Sequence, residues 1–247
     1  MTTAQSQIKG KFTTATVTRR LDFTPEHFKL WLKPAESFAF QPGQYCTIGT
    51  GGIERPYSIV SSPREPLIEL FIEFIPPPVG QLTPLLHRLK VGDTVTMRPR
   101  AKGVFVFKPE FRNHVMVATV TGVAPFVSMV RHWLEAPSGD PVFYVLEGAS
   151  YMDEFGYDDE LRALASKHPN IKFVASCSRP QDPRNAAWKG EAARINTLVE
   201  KYVAQWGLRP ADTCIYACGH PQMIEDVKAR YANTGYHFEE ERFWKED

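Results

Sequence analysis

The 247-residue sequence has few cysteines, and they do not cluster. Cys46, Cys177, Cys214 and Cys218 are too few and too scattered for a disulfide scaffold, so we expect reduced thiols and a cytoplasmic protein. The spacing of Cys214 and Cys218 does not fit a zinc site, and no C-x4-C-x2-C run of a plant-type iron–sulfur centre is found. The sequence therefore predicts no metal site.

An excess of one charge and a long apolar run are also missing. The chain has 29 Lys and Arg against 28 Asp and Glu, which argues against a nucleic-acid partner. Its longest apolar stretch, from Val115 to Val130, is broken by polar residues, glycine and proline, and is shorter than the roughly 20 residues of a membrane span. The first residues lack the apolar core of a signal peptide. We expect no nucleic-acid partner and no membrane span.

The chain shows two patterns of hydrophobicity, and its length suits two domains. From Lys9 to Phe107, short alternating runs are separated by glycine and proline, which indicates β-strands in a small antiparallel barrel. The predicted strands cover residues 12–18, 28–32, 44–48, 57–60, 67–75 and 94–97. A leucine repeat predicts one helix over residues 82–89.

After Phe107, continuous apolar runs alternate with helical patterns, which is typical of a parallel sheet covered by helices on both faces. Strands are predicted at 114–118, 141–146, 171–175 and 213–217, and helices at 126–134, 158–166, 192–206 and 221–232. We place the domains at residues 1–108 and 109–247.

Two short segments of the first half are candidates for ligand binding. Arg55-Pro56-Tyr57-Ser58 follows a loop with two glycines, although Tyr57 also fits a half-buried strand aromatic. Gly80 and Thr83 stand at the start of the predicted helix, where free backbone N–H groups make an anion site. The alternative for Thr83 is a plain helix N-cap.

Two segments of the second half follow predicted strands, at the sheet edge where nucleotides bind. Thr121-Gly122-Val-Ala-Pro125 joins the first of these strands to its helix, without the G-x-G-x-x-G fingerprint of a generic dinucleotide-binding fold. Cys218-Gly-His-Pro221 ends the last one, and a buried structural cysteine is the alternative for Cys218.

These four motifs, in this order, resemble the ferredoxin–NADP(H) reductase family, in its FAD-dependent, compact bacterial type. The resemblance runs from Lys11 to Trp244. It implies an antiparallel FAD-binding β-barrel followed by a doubly wound NAD(P)-binding α/β domain. It also implies FAD and NADP(H) as cofactors, with NAD(H) as an alternative, and a monomer whose partner is ferredoxin or flavodoxin.

The resemblance also implies roles for individual residues. Arg55 would pair with the flavin pyrophosphate, Tyr57 would stack on the flavin ring next to Pro56, and the Ser58 hydroxyl would reach its N5 region. Cys218 would pack against the nicotinamide, and Glu241 would relay a proton or position the transition state. The other implied cofactor-binding residues are Phe71, Ile72, Glu73, Phe74, Gly80, Gln81, Leu82, Thr83, Thr121, Gly122 and Trp244.

The sequence departs from the family pattern in the nucleotide domain. Val120 stands where the family usually has the first glycine of G-T-G. Ser150 stands where NADPH-selective members often have arginine, whereas Arg179 matches a position associated with the 2′-phosphate, and Arg184 is a second candidate. An ordinary solvated loop charge is the alternative for Arg184.

The expected activity is hydride transfer between NADP(H) and FAD, with single electrons passing to or from ferredoxin or flavodoxin. Basic side chains between Lys11 and Lys102 would attract an acidic carrier, unless they are dispersed solvated charges. One alternative is an NADH-dependent reductase component of a ring-hydroxylating oxygenase. Another is a non-catalytic flavin-binding redox subunit, although such subunits commonly carry a cysteine cluster that is missing here.

Overall fold

The computed structural model describes residues 12–242 and divides into two compact units. The first unit ends at Val106 and the second begins at Phe107. The division lies two residues before the boundary placed from sequence, between residues 108 and 109. Each unit is described below by itself.

The first unit is a six-stranded antiparallel sheet in the order β4-β3-β6-β1-β2-β5. Its strands are β1 (Thr13–Asp22), β2 (His27–Pro34), β3 (Tyr45–Thr50), β4 (Ile53–Ser58), β5 (Ile68–Glu73) and β6 (Thr94–Met97). The two edges of this sheet approach each other, because the Val60 N–H just after β4 donates to the Glu69 carbonyl of β5 at 2.9 Å. The predicted barrel is therefore confirmed as nearly closed.

The alternation of apolar residues decides which side of this sheet is buried. Ala15 and Val17 of β1 are buried, and so are Phe28, Leu30 and Leu32 of β2, whereas their neighbours along each strand are mostly more exposed. Residues two apart point to the same face of a strand, so these side chains form one core inside the barrel.

The helix predicted over residues 82–89 is one turn long, α1 (Thr83–Leu86). Leu82 and Leu86 are buried in the barrel core, which explains the leucine repeat, but the chain leaves the helix before Leu89. The predictions of strands at 57–60 and 67–75 were also inaccurate at their ends, since β4 begins at Ile53 and β5 ends at Glu73.

The second unit is a five-stranded parallel sheet in the order β11-β10-β7-β8-β9. Its strands are β7 (Asn113–Thr119), β8 (Val142–Ala149), β9 (Ile171–Cys177), β10 (Thr213–Gly219) and β11 (His237–Arg242). Its helices are α2 (Ala124–Glu135), α3 (Asp158–Lys167), α4 (Ile195–Gln205) and α5 (Pro221–Tyr231). The predicted parallel α/β architecture is confirmed.

Both faces of this sheet are covered. Val115 and Ile215 belong to a core that includes apolar residues of α4 and α5. Tyr216 points to the other face, where its ring meets Phe126 of α2 edge-on at 6.3 Å between centroids. Strands covered on both sides need apolar residues in succession, which is why β7 and β10 appear in the sequence as continuous runs.

The prediction of four strands in this sheet was incomplete, because β11 adds a fifth. Its sequence, His-Phe-Glu-Glu-Glu-Arg, has no apolar run, and its residues are half-buried at the edge of the sheet. Among the helices within residues 12–242, none is long and apolar enough to cross a membrane. The same residues contain no group of three His, Cys, Asp or Glu side chains arranged to hold a metal ion.

Candidate functional site

The Arg-Pro-Tyr-Ser motif forms the last four residues of β4, at one edge of the barrel sheet. Arg55 and Pro56 are exposed, Tyr57 is half-buried against the barrel core, and Ser58 is buried. Burial raises the pKa of the Tyr57 hydroxyl, and the nearby charge of Arg55 partly opposes that increase. Tyr57 is thus a neutral ring beside an exposed guanidinium.

The structure brings Arg55 to the second motif of the same unit. The Arg55 Nη2 group donates to the Gln81 side-chain oxygen at 3.2 Å, although the two residues are 26 positions apart in the sequence. Gln81 is exposed, so the guanidinium and the amide form a polar surface on the outside of the barrel. A planar guanidinium in this setting suits phosphate oxygens.

The loop between β5 and α1 is fastened at its base by Thr83. The Thr83 hydroxyl donates to the Ile75 carbonyl and accepts from the Ile75 N–H, both at 3.0 Å. Leu82 is the N-cap residue and makes no side-chain capping bond, so the alternative of Thr83 as N-cap is wrong. Gly80 lies so close to Ile75 that a Cβ would collide with the Ile75 carbonyl. The loop therefore requires glycine at that position.

The four candidate residues from Phe71 to Phe74, at the end of β5 and just after it, differ in solvent exposure. Phe71 and Ile72 are buried, so their side chains pack inside the protein. Glu73 is exposed, and Phe74 is half-buried with its ring 4.9 Å from that of His87. The segment can offer a ligand its backbone, Glu73 and part of Phe74.

In the second unit, two turns meet at the carboxyl ends of the adjacent strands β7 and β10. Gly122 lies so close to the Cys218 carbonyl that a Cβ there would overlap it. The Thr119 hydroxyl accepts the His220 N–H at 2.8 Å, and Gly219, at φ +127°, leaves no room for a side chain next to Thr119. The two motifs of this half thus form one compact surface at the sheet edge.

Val120 has an unusual backbone conformation in this turn. Its φ is +44°, and within the described residues it is the one non-glycine residue with a positive φ. It lies at the position where the sequence lacks the expected glycine, so the chain keeps a left-handed turn with a branched side chain. The side chain is half-buried against a small cluster that includes Ala149 and Cys177.

Cys218 and Glu241 lie opposite each other on β10 and β11. Cys218 is completely buried, and this burial raises the pKa of its thiol well above the ordinary value, with a further contribution from the Glu241 charge. The thiol is therefore neutral at physiological pH and fits a packing role rather than a nucleophile. Glu241 is half-buried. Trp244, the remaining C-terminal candidate, lies outside the described residues.

Arg179 and Arg184 meet at a residue that sequence reasoning missed, Tyr151. The Arg184 guanidinium carbon lies 3.8 Å from the centre of the Tyr151 ring, and that of Arg179 lies at 5.1 Å. Tyr151 follows Ser150 directly after β8, so its place at a strand end was a signal in the sequence.

Asn185, also missed, has no such signal. It is buried, and its amide donates to the Ser150 carbonyl at 2.9 Å and to the Arg179 carbonyl at 2.8 Å. The side-chain oxygen of Asn185 accepts the Met152 N–H at 2.7 Å. One amide side chain therefore ties together the loops that carry the two arginines and Tyr151.

A family model matches the second unit of this chain, and relatives match most of its length. Residues 116–229 match the family model described as the oxidoreductase NAD-binding domain. The chain is 30% identical over 207 residues to sulfhydrogenase 1 subunit gamma of Pyrococcus furiosus, covering 82% of this chain and 66% of that protein. It is 28% identical over 253 residues to ferredoxin–NADP reductase A of Sorangium cellulosum, covering 91% and 84%.

Among solved structures, a ferredoxin NADP⁺ reductase from Neisseria gonorrhoeae with bound FAD and NADP has the same fold. The TM-score is 0.81 at 24% identity, covering 95% of this chain and 100% of that one. Several matched relatives are longer proteins, and this chain spans between 53% and 66% of their length. Three observations point to one family: the two-unit fold, the order of the four motifs, and relatives that include ferredoxin–NADP reductases. The chain belongs to the ferredoxin–NADP(H) reductase family.

Proposed function

We propose that this chain is a flavin-dependent oxidoreductase that moves hydride between NADP(H) and FAD and exchanges single electrons with ferredoxin or flavodoxin. The observation that carries the proposal is the meeting of the Thr121-Gly122 and Cys218-Gly219 turns at the carboxyl edge of the parallel sheet. That edge is where nucleotides bind in open α/β sheets. The two glycines allow the turns to pack directly against each other, because a Cβ on either would collide with the neighbouring turn.

The residues of the first unit fit FAD. Arg55 is exposed next to Gln81, and Gly80 keeps side-chain atoms out of the adjoining loop. Among the backbone hydrogen bonds of residues 12–242, none uses the N–H of Gln81, which supports a phosphate site there. Tyr57 provides a neutral aromatic face for the flavin ring. FAD, when bound, supplies the conversion between two-electron and one-electron transfer.

The chain's own residues bind and orient the reacting groups. In this proposal Ser58 hydrogen-bonds beside the flavin and Glu241 holds a proton near the reacting groups. The neutral Cys218 thiol is completely buried, so it acts from behind the turn that receives the nicotinamide and fixes the position of that turn. Arg179 holds the adenosine phosphate and Arg184 lies beside it. A well-oriented pair of reactants gains much of its rate from positioning, so small shifts of Cys218 are costly.

The test is anaerobic mixing of the FAD-reconstituted chain with NADPH, followed by addition of a ferredoxin or a flavodoxin. We expect bleaching of the flavin absorbance and then reduction of the carrier. The proposal would be contradicted if the chain did not retain FAD. It would also be contradicted if neither NADPH nor NADH reduced the bound flavin. Efficient reduction with NADH alone would favour the oxygenase-reductase alternative.

Two variants test the assigned residues. Arg55→Ala with Tyr57→Ala removes a charged hydrogen bond and a stacking face, so the Kd for FAD should rise at least about a hundredfold. Cys218→Ser changes polarity and radius and should slow flavin reduction about tenfold with flavin content unchanged. Full flavin content in the first variant, or a wild-type reduction rate in the second, would remove those residues from the site.

A further inference from the structure

The loops after β8 and β9 begin side by side, because Ala149 and Cys177 are register partners at the ends of these parallel strands. The first loop carries Tyr151 and Asp153, and the second carries Arg179 and Arg184. Asn185 bridges the two loops with its buried amide. Their charged groups are therefore held in a fixed relation to one another.

The two arginines are in different electrostatic situations. Arg184 Nη2 donates to Asp153 Oδ1 at 2.7 Å, while its guanidinium stacks on Tyr151. Arg179 donates to the Tyr151 hydroxyl, and the ion pairs found among residues 12–242 include none with Arg179. Arg184 thus has its charge balanced by Asp153, whereas Arg179 keeps its charge for a ligand.

A second carboxylate occupies backbone donors of the same loop. Glu154 Oε2 accepts the N–H of Ser150 at 2.8 Å and that of Tyr151 at 3.0 Å. These are the first two N–H groups after β8. They are already satisfied, so a phosphate at this strand end depends on the arginines.

The acidic residues also act on the end of β9. The pKa of the Cys177 thiol is raised to about 12, mainly by desolvation and also by the charges of Glu154, Asp153 and Asp158. These three carboxylates thus place negative charge at the end of β9, where the loop that carries Arg179 and Arg184 begins.

We infer that Asp153 is a specificity-determining residue, which holds Arg184 and thereby weakens discrimination in favour of the dinucleotide that carries a 2′-phosphate. The inference rests on the proposed function, in which this edge binds the adenosine end of NADP(H). A phosphate monoester carries about two negative charges at neutral pH, so Asp153 repels it and competes with it for Arg184. NADH has no such phosphate and is affected little.

The test compares Asp153→Asn with the wild type, using kcat/KM for NADPH and for NADH with the FAD-loaded chain. The ratio of NADPH to NADH should rise about fivefold to tenfold, since Arg184 becomes available as a charged partner. Asp140→Asn is the matched control. It breaks another exposed arginine–aspartate pair, Arg112–Asp140 at 3.0 Å, which lies at the amino ends of β7 and β8, and it should leave the ratio unchanged.

A second variant separates release of Arg184 from simple removal of a negative charge. In the Asp153→Asn background, Arg184→Ala should return the ratio to near the wild-type value. A gain that persists without Arg184, or a ratio that changes by less than about twofold in Asp153→Asn, would overturn the inference.

Calorimetric titration with NADP⁺ and NAD⁺ provides a readout that does not need turnover. Tighter NADP⁺ binding in Asp153→Asn, with NAD⁺ binding unchanged, supports the inference. Equal shifts for both nucleotides overturn the inference but leave the proposed function standing. Absence of binding of either nucleotide to the wild type overturns both.

Discussion

Val120 shows what a single substitution costs at a turn. A branched residue at φ +44° is strained by about 1–3 kcal/mol, and it persists here because the rest of the turn holds it in place. Thr119, on one side, accepts the His220 N–H, and Gly122, on the other, fits against the Cys218 carbonyl.

Because of this strain, we expect glycine to be more stabilising than alanine at position 120, which is the reverse of the order at an ordinary strand position. Val120→Gly should have a free energy of unfolding about 1 kcal/mol higher than Val120→Ala, because both lose the side chain but glycine alone relieves the positive φ. Urea unfolding measures the difference. At Val142, an ordinary strand position of β8, alanine should be the more stable of the same two replacements. A Val120→Ala protein at least as stable as Val120→Gly would refute the assigned strain.

His114 is a buried histidine outside the proposed site. Its ring lies 4.3 Å from that of Phe107 and 5.6 Å from that of Phe143, and its Nδ1 is 3.3 Å from the Tyr216 hydroxyl. Desolvation lowers its pKa from 6.5 to about 4, a shift that a backbone hydrogen bond with Phe111 partly opposes. The folded chain thus holds His114 neutral.

The lowered pKa predicts a stability loss in mild acid. The unfolded chain binds the proton near pH 6.5 and the folded chain does not, so this contribution is complete above pH 6.5 and is lost as the pH falls towards 4. The loss amounts to about 3 kcal/mol at most. Denaturant unfolding at several pH values should show a smaller loss in His114→Phe than in the wild type. His168→Gln, at the end of α3, is the control, and equal losses in all three proteins would contradict the prediction.

At the scale of elements, the connection from β5 to α1 carries much of the proposed flavin site. Its base is the two-way hydrogen bond between Thr83 and Ile75, and its far end presents Gln81 to Arg55. One hydroxyl group therefore satisfies both backbone groups of Ile75 at the base of the loop.

Thr83→Val keeps the shape of the side chain but leaves two Ile75 backbone groups without their partner. We expect the free energy of unfolding to fall by about 2 kcal/mol and the Kd for FAD to rise at least tenfold. Thr96→Val, which removes a hydroxyl bond to the Gly49 carbonyl in the same barrel, should lower stability without changing the Kd. If Thr83→Val and Thr96→Val had the same Kd for FAD, the flavin-binding conformation of the loop would not depend on Thr83.

The elements that could be predicted from sequence are those whose burial determines their pattern. Strands β7 and β10 are buried on both faces and read as apolar runs, and β2 alternates because one face is in the core. Strand β11 was missed because an edge strand of glutamates has no such pattern. Helix α1 was predicted too long, because the leucine repeat reflects contact with the barrel core and continues past the end of the helix.

The candidate site divides in the same way. Motifs at strand ends could be located by spacing, and the chemistry of Arg55 or Cys218 follows from residue type. Asn185 and Asp153 could not be found, because their roles depend on contacts between two loops that only the fold brings together.

At the scale of the whole molecule, charge is divided unevenly between the units. Residues 1–106 contain 13 Lys and Arg against 8 Asp and Glu, whereas residues 107–247 contain 16 against 20. The near-neutral total therefore conceals a net charge of +5 on the barrel half and −4 on the nucleotide half. An acidic carrier would be attracted to the barrel half.

This asymmetry predicts a salt dependence that is specific to the carrier. The rate of electron transfer to an acidic ferredoxin or flavodoxin should fall about tenfold between low and high ionic strength, whereas reduction of an uncharged quinone should change little. Arg88→Gln with Lys90→Gln, in the barrel half, should lower the carrier rate. Lys167→Gln with Lys172→Gln, in the nucleotide half, is the matched control. Equal effects of the two pairs would show that charge on the barrel half does not guide the carrier.

The edge strand β11 places a constraint on the length of the chain that precedes it. Five residues join Tyr231, the end of α5, to His237, and the Tyr236 hydroxyl donates to the Leu208 carbonyl at 2.8 Å within this connection. Inserting or deleting one residue there would slide the strand by one position and turn the Glu241 side chain to the opposite face of the sheet. We therefore expect this five-residue connection to tolerate substitutions far better than insertions or deletions.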